Sequence, residues 1–162
     1  MPDVTLAPFL PDRDLPRLAA WLDLPHVARG WGEPAAVLAD LGSRRDDTVA
    51  LILRAGEPVG VLCWQTLTPA ERDAAGLGDL PADLVDVDIL IGTPDALGQG
   101  VGPAALALLF DRLARAGTTQ VGMATALRNR RALAAFTRVG LVAYRDFTAD
   151  GEAYRYLIKQ LS

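Results

Sequence analysis

Two carboxylates, Asp86 and Asp88, stand a few residues ahead of a glycine-rich turn, Leu97-Gly98-Gln99-Gly100-Val101-Gly102, which opens a helix near Pro103. Glycine lets a backbone pass close to a ligand, and a helix start offers unpaired N–H groups and the positive end of its dipole. Such a turn suits an anionic, phosphate-bearing group. Pro103 has no N–H and can occupy an early helical position without wasting a donor. Along Val85-Asp86-Val87-Asp88-Ile89-Leu90-Ile91 the odd positions are all apolar. That alternation puts Asp86 and Asp88 on the other face of a strand, roughly 7 Å apart at about 3.4 Å per residue. Two carboxylates so placed can raise one another's pKa and hold a polycation, or they are simply the solvated face of the strand.

The turn can be tested against dinucleotide binding, because Gly100, Gly102 and Ala105 satisfy a loose G-x-G-x-x-G/A pattern. That fold wants an acidic residue about 20 positions on to grip the ribose. Between Asp111 and Asp146 there is none. Arg128, Arg130 and Arg131 instead stand at the mouth of a second helix, where a phosphate can be paired. The pattern asks for a phosphate-bearing group without a ribose-gripping carboxylate.

The elements that must position these residues follow from periodicity and breakers. Val4 to Pro8 reads as a strand, and Asp12 or Asp14 can cap a helix with Leu15, Leu18, Ala19 and Leu22 on one face. Pro25 to Gly32 reads as a turn region, Pro34 to Leu41 as a helix, and residues 44 to 47 as the lead into a strand over Thr48 to Arg54. Ala55-Gly56-Glu57-Pro58 reverses the chain into an antiparallel partner, Val59 to Thr66. Pro69 to Asp83 is a long polar connection with room for one helical turn. Strand Leu84 to Ile91, helix Gly102 to Ala116, strand Thr118 to Ala124 and helix Asn129 to Val139 form a βαβα run, which predicts parallel pairing there. Val142 to Thr148, a turn at Asp150-Gly151 and Ala153 to Leu161 close with a hairpin.

Composition narrows the chemistry. The 162 residues suit a single domain spanning 1–162, enough to bury roughly two thirds of the unfolded chain's surface. Cys63 is the lone cysteine, and no cysteine and histidine cluster has zinc spacing, so neither a disulfide nor a metal is expected. The N-terminus lacks a signal-peptide pattern and no run of about 18 apolar residues is present, which predicts a soluble, cytoplasmic protein that does not enter membranes. Lys159 is the sole lysine, so P-loop and Schiff-base chemistries have almost no candidate. A net charge of −4 argues against nonspecific nucleic-acid binding. Glu71, Asp73, Asp79, Asp83, Asp86, Asp88 and Asp95 face only Arg72 between 71 and 95, which suits a cationic substrate or is a solvated acidic loop.

The glycine turn, followed by Asn129-Arg130-Arg131-Ala132-Leu133-Ala134-Ala135-Phe136-Thr137-Arg138-Val139-Gly140-Leu141, is similar to the acetyl-CoA signature of the GNAT N-acetyltransferases. The family pattern is R/Q-x-x-G-x-G/A, then a helix with N-x-x-A-x-x-x-Y-x-x-x-G-F. Within that superfamily the chain most resembles the aminoglycoside 6'-N-acetyltransferases, through Trp21 to Gly32, Gly56-Glu57-Pro58-Val59-Gly60 and Val87 to Gly92. Siderophore-type and hydroxylysine acetyltransferases share parts of these patches. The resemblance spans Val4 to Leu161. It implies the α/β (α+β) acyl-CoA acyltransferase fold, a mixed, mostly antiparallel sheet with one parallel pair, flanked by helices.

On that resemblance acetyl-CoA is the acyl donor. Its pyrophosphate would lie on the N–H groups of Gly98, Gln99, Gly100, Val101 and Gly102 and its pantetheine arm along Leu90, Ile91 and Gly92, with Asn129 contacting the same arm and Leu97, Pro103, Ala132 and Phe136 also among the cofactor-binding residues. Asn129 can also cap its helix. Asp88 matches the proposed general base of the aminoglycoside group, needed because an attacking amine must arrive neutral. Asp86 has no equally clear counterpart. Phe136 stands where many members carry a tyrosine that protonates the departing thiolate, and Leu97 replaces Arg or Gln. A thiol pKa near 8.5 makes the thiolate a tolerable leaving group even so.

The acceptor is expected to be a small cationic amine, met by Asp83, Asp86 and the aromatic faces of Trp21 and Trp31, with an aminoglycoside 6'-amine leading and antibiotic resistance as its consequence. Trp21 sits on an amphipathic helix and also fits a core. His26 suits a structural hydrogen bond and Cys63 an inert core thiol. Tyr144, Tyr154 and Tyr156 lie on the last hairpin, where one could replace the missing acid. Other readings are a peptide, protein or siderophore-type amine as acceptor, or a catalytically weak acyl-CoA-binding domain. Monomer and homodimer are both open.

Overall fold

Two short turns with left-handed backbone define the hairpins of this computed structural model, which describes residues 3–44 and 47–161. Ala55 and Gly56 take φ of 50° and 80°, and Asp150 and Gly151 take 49° and 77°. Paired positive φ is what a two-residue turn needs to match strand twist. Strand order is β1-β2-β3-β4-β5-β7-β6, with β1 Val4–Pro8, β2 Val49–Arg54, β3 Glu57–Thr66, β4 Val85–Ile91, β5 Gln120–Ala126, β6 Val142–Ala149 and β7 Glu152–Gln160. The pairs β1–β2, β2–β3, β5–β7 and β6–β7 are antiparallel. The pair β4–β5 is parallel, with Val85 opposite Val121 and Asp86 opposite Gly122, as the βαβα run predicts. Arg45 and Asp46 of the expected lead into β2, and Met1 and Pro2 of the N-terminal stretch, lie outside the described residues.

The chain divides into two compact units, one of residues 1–63 and 89–105, the other of 64–88 and 106–162. In the first, α1 (Pro11–Leu22), α2 (Pro25–Trp31) and α3 (Pro34–Ser43) each begin with a proline, which suits the first helical position because that N–H has no helical partner. The segment from Pro25 to Gly32, read from sequence as a turn, is therefore a helix closed by Gly32 at φ 75°. Proline and glycine mark its ends instead of breaking it, and Val27 anchors it in the core.

The first helix is capped differently from expectation. Leu10 is its N-cap, and Asp14 reaches back to accept the Leu10 N–H at 2.8 Å. Asp14 is 1% exposed and ion-paired to Arg13 and Arg17. Burial pushes its carboxyl up, but the Arg13 hydrogen bond, the Leu10 N–H and the two guanidinium charges outweigh this and hold it below the usual carboxylate range. Leu18, Trp21, Leu22, Val27, Leu41, Leu51, Val61 and Leu90 form the core of this unit.

In the second unit α4 (Pro69–Ala74) supplies the helical turn expected in the long connection, capped by Thr68, whose Oγ1 accepts the Glu71 N–H at 3.1 Å. Leu77, Leu80, Leu84 and Tyr156 pack together as one apolar cluster. Helix α5 (Val101–Arg115) enters this unit with Leu106, Leu109 and Phe110 buried, and α6 is Arg130–Arg138. No helix of the described residues is long and apolar enough to cross a membrane.

Gly92, directly after β4, has no room for a side chain, because a Cβ there would overlap the Trp21 indole. The crowding atoms belong to the ring root, which cannot swing aside as a flexible tip would. Gly92→Ala should therefore destabilise the protein by about 1–3 kcal/mol through overpacking. A lowered urea midpoint at unchanged m-value is the expected result.

Candidate active site

Strand β4 alternates as its sequence requires. Val85 and Val87 are buried, Asp86 is half-buried and Asp88 is exposed. Asp86 accepts a hydrogen bond from the Tyr156 hydroxyl at 2.9 Å. Burial, then the charge of Asp88, and further the charge of Glu71, push Asp86 up to about 7, while the Tyr156 hydrogen bond pulls the other way. Burial and the Asp86 charge raise the Tyr156 phenol as well. The mutual effect expected from two carboxylates on one strand face is thus present at Asp86.

The slot for this contact is cut by a missing side chain. Gly122 stands opposite Asp86 on β5, and any Cβ there would overlap the Tyr156 ring. Tyr156 pairs with Ala124 on the other side of β5 and is 4% exposed. It therefore lies over Gly122 to reach Asp86. Of the three tyrosines on the last hairpin, Tyr156 alone meets Asp86 among the described contacts. Tyr144 donates to Asp79 at 2.9 Å, and Tyr154 stacks on Phe147 with ring centroids 5.4 Å apart.

The acidic stretch is less uniform than its composition suggests. The Tyr144 hydrogen bond and the Arg145 charge hold Asp79 below the usual carboxylate range, so that acid is already compensated. Asp83 accepts the Thr119 hydroxyl at 2.8 Å. Within this stretch Asp88 and Glu71 are the like charges that act on Asp86.

On α6, Asn129 is the N-cap and its Oδ1 accepts the Ala132 N–H at 3.2 Å. Arg128 is ion-paired to Glu152, while Arg130 and Arg131 are exposed on the first turn. Phe136 is 5% exposed and brings no hydroxyl to its position. Ala132 is half-buried.

In the other unit, β4 ends at Ile91 and the chain passes through Gly92, Thr93 and a single 3-10 turn, Pro94–Ala96, into the glycine segment. The Gly92 N–H donates to the Val59 carbonyl at 2.8 Å. His26 Nε2 lies 3.0 Å from the Ile91 carbonyl; a carbonyl can only accept, so Nε2 carries the proton. His26 makes the structural bond expected of it, to the end of β4. Gly98 and Gly100 take φ of 73° and 78°, a conformation that favours glycine, and a Cβ at Gly98 would point into open space. Helix α5 starts at Val101, and its first ladder bond runs from the Ala104 N–H to Gly100. The Val101 and Gly102 N–H groups therefore lack helical acceptors, and Pro103 has none to spend. Leu97 is half-buried and Gln99 exposed. An exposed, left-handed turn ahead of a fifteen-residue helix fits a pyrophosphate.

Trp21 is 8% exposed and belongs to the core beneath Gly92, which is the packing alternative its helix suggested. Trp31 is half-buried against the same cluster. Cys63 is buried there too.

Residues 10–149 match the family model described as the acetyltransferase (GNAT) domain. The chain belongs to the GNAT acetyltransferase family. No curated protein matches its sequence. Among solved structures, this GNAT chain is similar to an aminoglycoside acetyltransferase AAC(6')-Ib in complex with coenzyme A, at 21% identity and TM-score 0.79, covering 97% of this chain and 94% of that one. It is also similar to the aminoglycoside N(6')acetyltransferase of Legionella pneumophila, at 15% identity and TM-score 0.76 over 98% and 92% of the two chains. A spermidine N-acetyltransferase chimera from Vibrio cholerae and hSSAT shares the fold at 12% identity and TM-score 0.74, over 98% and 96%. The mixed α/β fold expected from the sequence is the fold of these proteins.

Asp86 also sets a pH dependence of stability. Its folded pKa, about 7, lies above the unfolded aspartate value, so the folded state holds the extra proton and stability falls as pH rises from about 4 through 7. Asp86→Asn keeps an oxygen for Tyr156 and removes the buried charge. At pH 8 the variant should unfold at a higher temperature than the parent, and at pH 4 the difference should vanish.

Proposed function

We propose that this GNAT chain transfers the acetyl group of acetyl-CoA to a primary amine of a small polycation, with an amino sugar of the aminoglycoside type as acceptor. The single observation that carries the reading is Asp88, an exposed carboxylate on β4, set among acidic neighbours and two residues before the strand segment that leads to the glycine turn. Bound acetyl-CoA supplies an activated thioester. The backbone N–H groups of the segment Gly98 to Gly102, at the start of α5, would hold its pyrophosphate. Asn129, Ala132 and Phe136 on the Asn129 helix start, with Leu90 to Gly92, would line its arm, as the family pattern implies.

At the acceptor, Asp88 takes a proton from the ammonium, and the freed amine attacks the thioester carbonyl directly, with no covalent enzyme intermediate. The carbon–nitrogen bond forms at the thioester carbonyl and the carbon–sulfur bond breaks; the second proton, shed by the acylated nitrogen, passes to the departing thiolate or to water, since Phe136 has no proton to give. Asp83, Asp86 and Trp31 are the proposed acceptor contacts. That the similar folds include enzymes for aminoglycosides and for spermidine supports a polycationic acceptor, since both substrates carry several amines.

Free-thiol release should be measured with acetyl-CoA across aminoglycosides, polyamines, peptides and siderophore-type amines. Turnover is expected to be fastest with an aminoglycoside, and a preference for peptides or siderophore amines would replace the acceptor while keeping the chemistry. Asp88→Asn should lower kcat/KM by about 100-fold or more at neutral pH. Calorimetry should show its CoA affinity unchanged. A second reading, an acyl-CoA-binding domain with little turnover, is favoured by the buried Phe136. Tight CoA binding with no thiol release for any amine would select it.

A further inference from the structure

The Asp86 carboxyl is held by a device that spans three strands of one unit. Asp86 lies on β4, Gly122 stands opposite it on β5, and Tyr156 comes from β7 across the gap to donate at 2.9 Å. The tyrosine is anchored from below by Leu77, Leu80 and Leu84, so its hydroxyl is not free to swing into solvent. Exchanging any one part would disable the contact: a side chain at 122 occupies the ring's place, and a residue without a hydroxyl at 156 leaves a half-buried carboxylate with no donor.

We propose that Tyr156 is a positioning residue for the β4 carboxylates: reaching Asp86 over Gly122, it favours the anionic form of Asp86 beside Asp88 while a cationic amine is bound. This rests on the reading of Asp88 as the base. An anionic Asp86 acts on Asp88 as one fixed negative charge on the same strand face, which strengthens Asp88 as a proton acceptor and attracts the ammonium. Without the phenol, burial shifts Asp86 further toward its neutral form and both effects weaken. The groups that face Asp86 are Asp88 on its own strand and Glu71 on α4, both of which oppose its ionisation, and Tyr156 on β7, which favours it; Gly122 on β5 brings no charge. Tyr156 is thus the one neighbour among these that holds the charge in place. It acts through Asp86 and need not touch substrate.

The test follows the aspartate carboxyl carbons of the full chain by carbon-13 NMR as pH is varied, assigning Asp86 by its loss in Asp86→Asn. The midpoint for Asp86 should lie at about 7. In Tyr156→Phe, which keeps the ring, it should rise by about one unit. Asp88→Asn should lower it, because a repelling charge is gone. Gly122→Ala, which expels the ring, should raise it as Tyr156→Phe does, and serves as the second variant if one of the two folds poorly. The acid limb of kcat/KM against pH for the best amine should move upward with the NMR midpoint in Tyr156→Phe. An unmoved midpoint in folded Tyr156→Phe overturns the coupling, and a moved midpoint with a stationary acid limb overturns its part in catalysis. Absence of thiol release with every amine would instead be the failure of the acetyl-transfer reading, and the NMR titration then decides the Tyr156–Asp86 coupling on its own.

Discussion

A carboxylate half-buried on a strand is the constraint on which the second unit is organised. Asp86 pairs by register with Gly122 and by hydrogen bond with Tyr156, so three strands have to agree on one contact. Burial and two nearby acids oppose its charge, and the phenol is the compensating donor. The apolar cluster of Leu77, Leu80 and Leu84 serves this arrangement by fixing the ring. A polar contact buried this way is costly when incomplete, which is why its supports are apolar and close-packed.

Missing side chains do similar work elsewhere. Gly60 lies so near the Leu90 carbonyl that a Cβ would overlap it, and Gly92 is pressed against Trp21. Both brace the end of β4 in the first unit. The strand end is further tied by the Gly92 N–H to Val59 and by His26 to Ile91. From that braced end the chain enters the glycine turn, where Gly98 and Gly100 serve a different need, a left-handed backbone ahead of the helix. Space at 60, 92 and 122 and conformation at 98 and 100 are two separate reasons for glycine in one small protein.

Much of this is legible in the amino-acid sequence. Strand β1 falls on the residues expected of it, β4 and the second-half helices begin within one residue of expectation, and the parallel pair sits where the βαβα run requires. Those elements carry strong periodicity or clear breakers. The segment from Pro25 to Gly32 misled because proline and glycine read as a turn when close together, yet they can equally bracket a short helix, and only Val27's place in the core decides between these. The acidic stretch from 71 to 95 reads as uniform in composition, whereas Asp79 is compensated by Tyr144 and Arg145, and Asp83 accepts a hydrogen bond from Thr119. Those partners lie 36 or more residues away in the chain, beyond the reach of local pattern.

The sequence by itself determined the family signature, the alternation that puts Asp86 and Asp88 on one strand face, and the glycine turn at a helix start. These depend on residues within a few positions of one another, where chain geometry alone fixes the relation. Tertiary structure alone decided that Tyr156, and neither Tyr144 nor Tyr154, meets Asp86, that Gly122 makes the room, and that Trp21 is a core residue under Gly92. Each is a contact between elements distant along the chain, settled by strand register and by which atoms compete for the same volume.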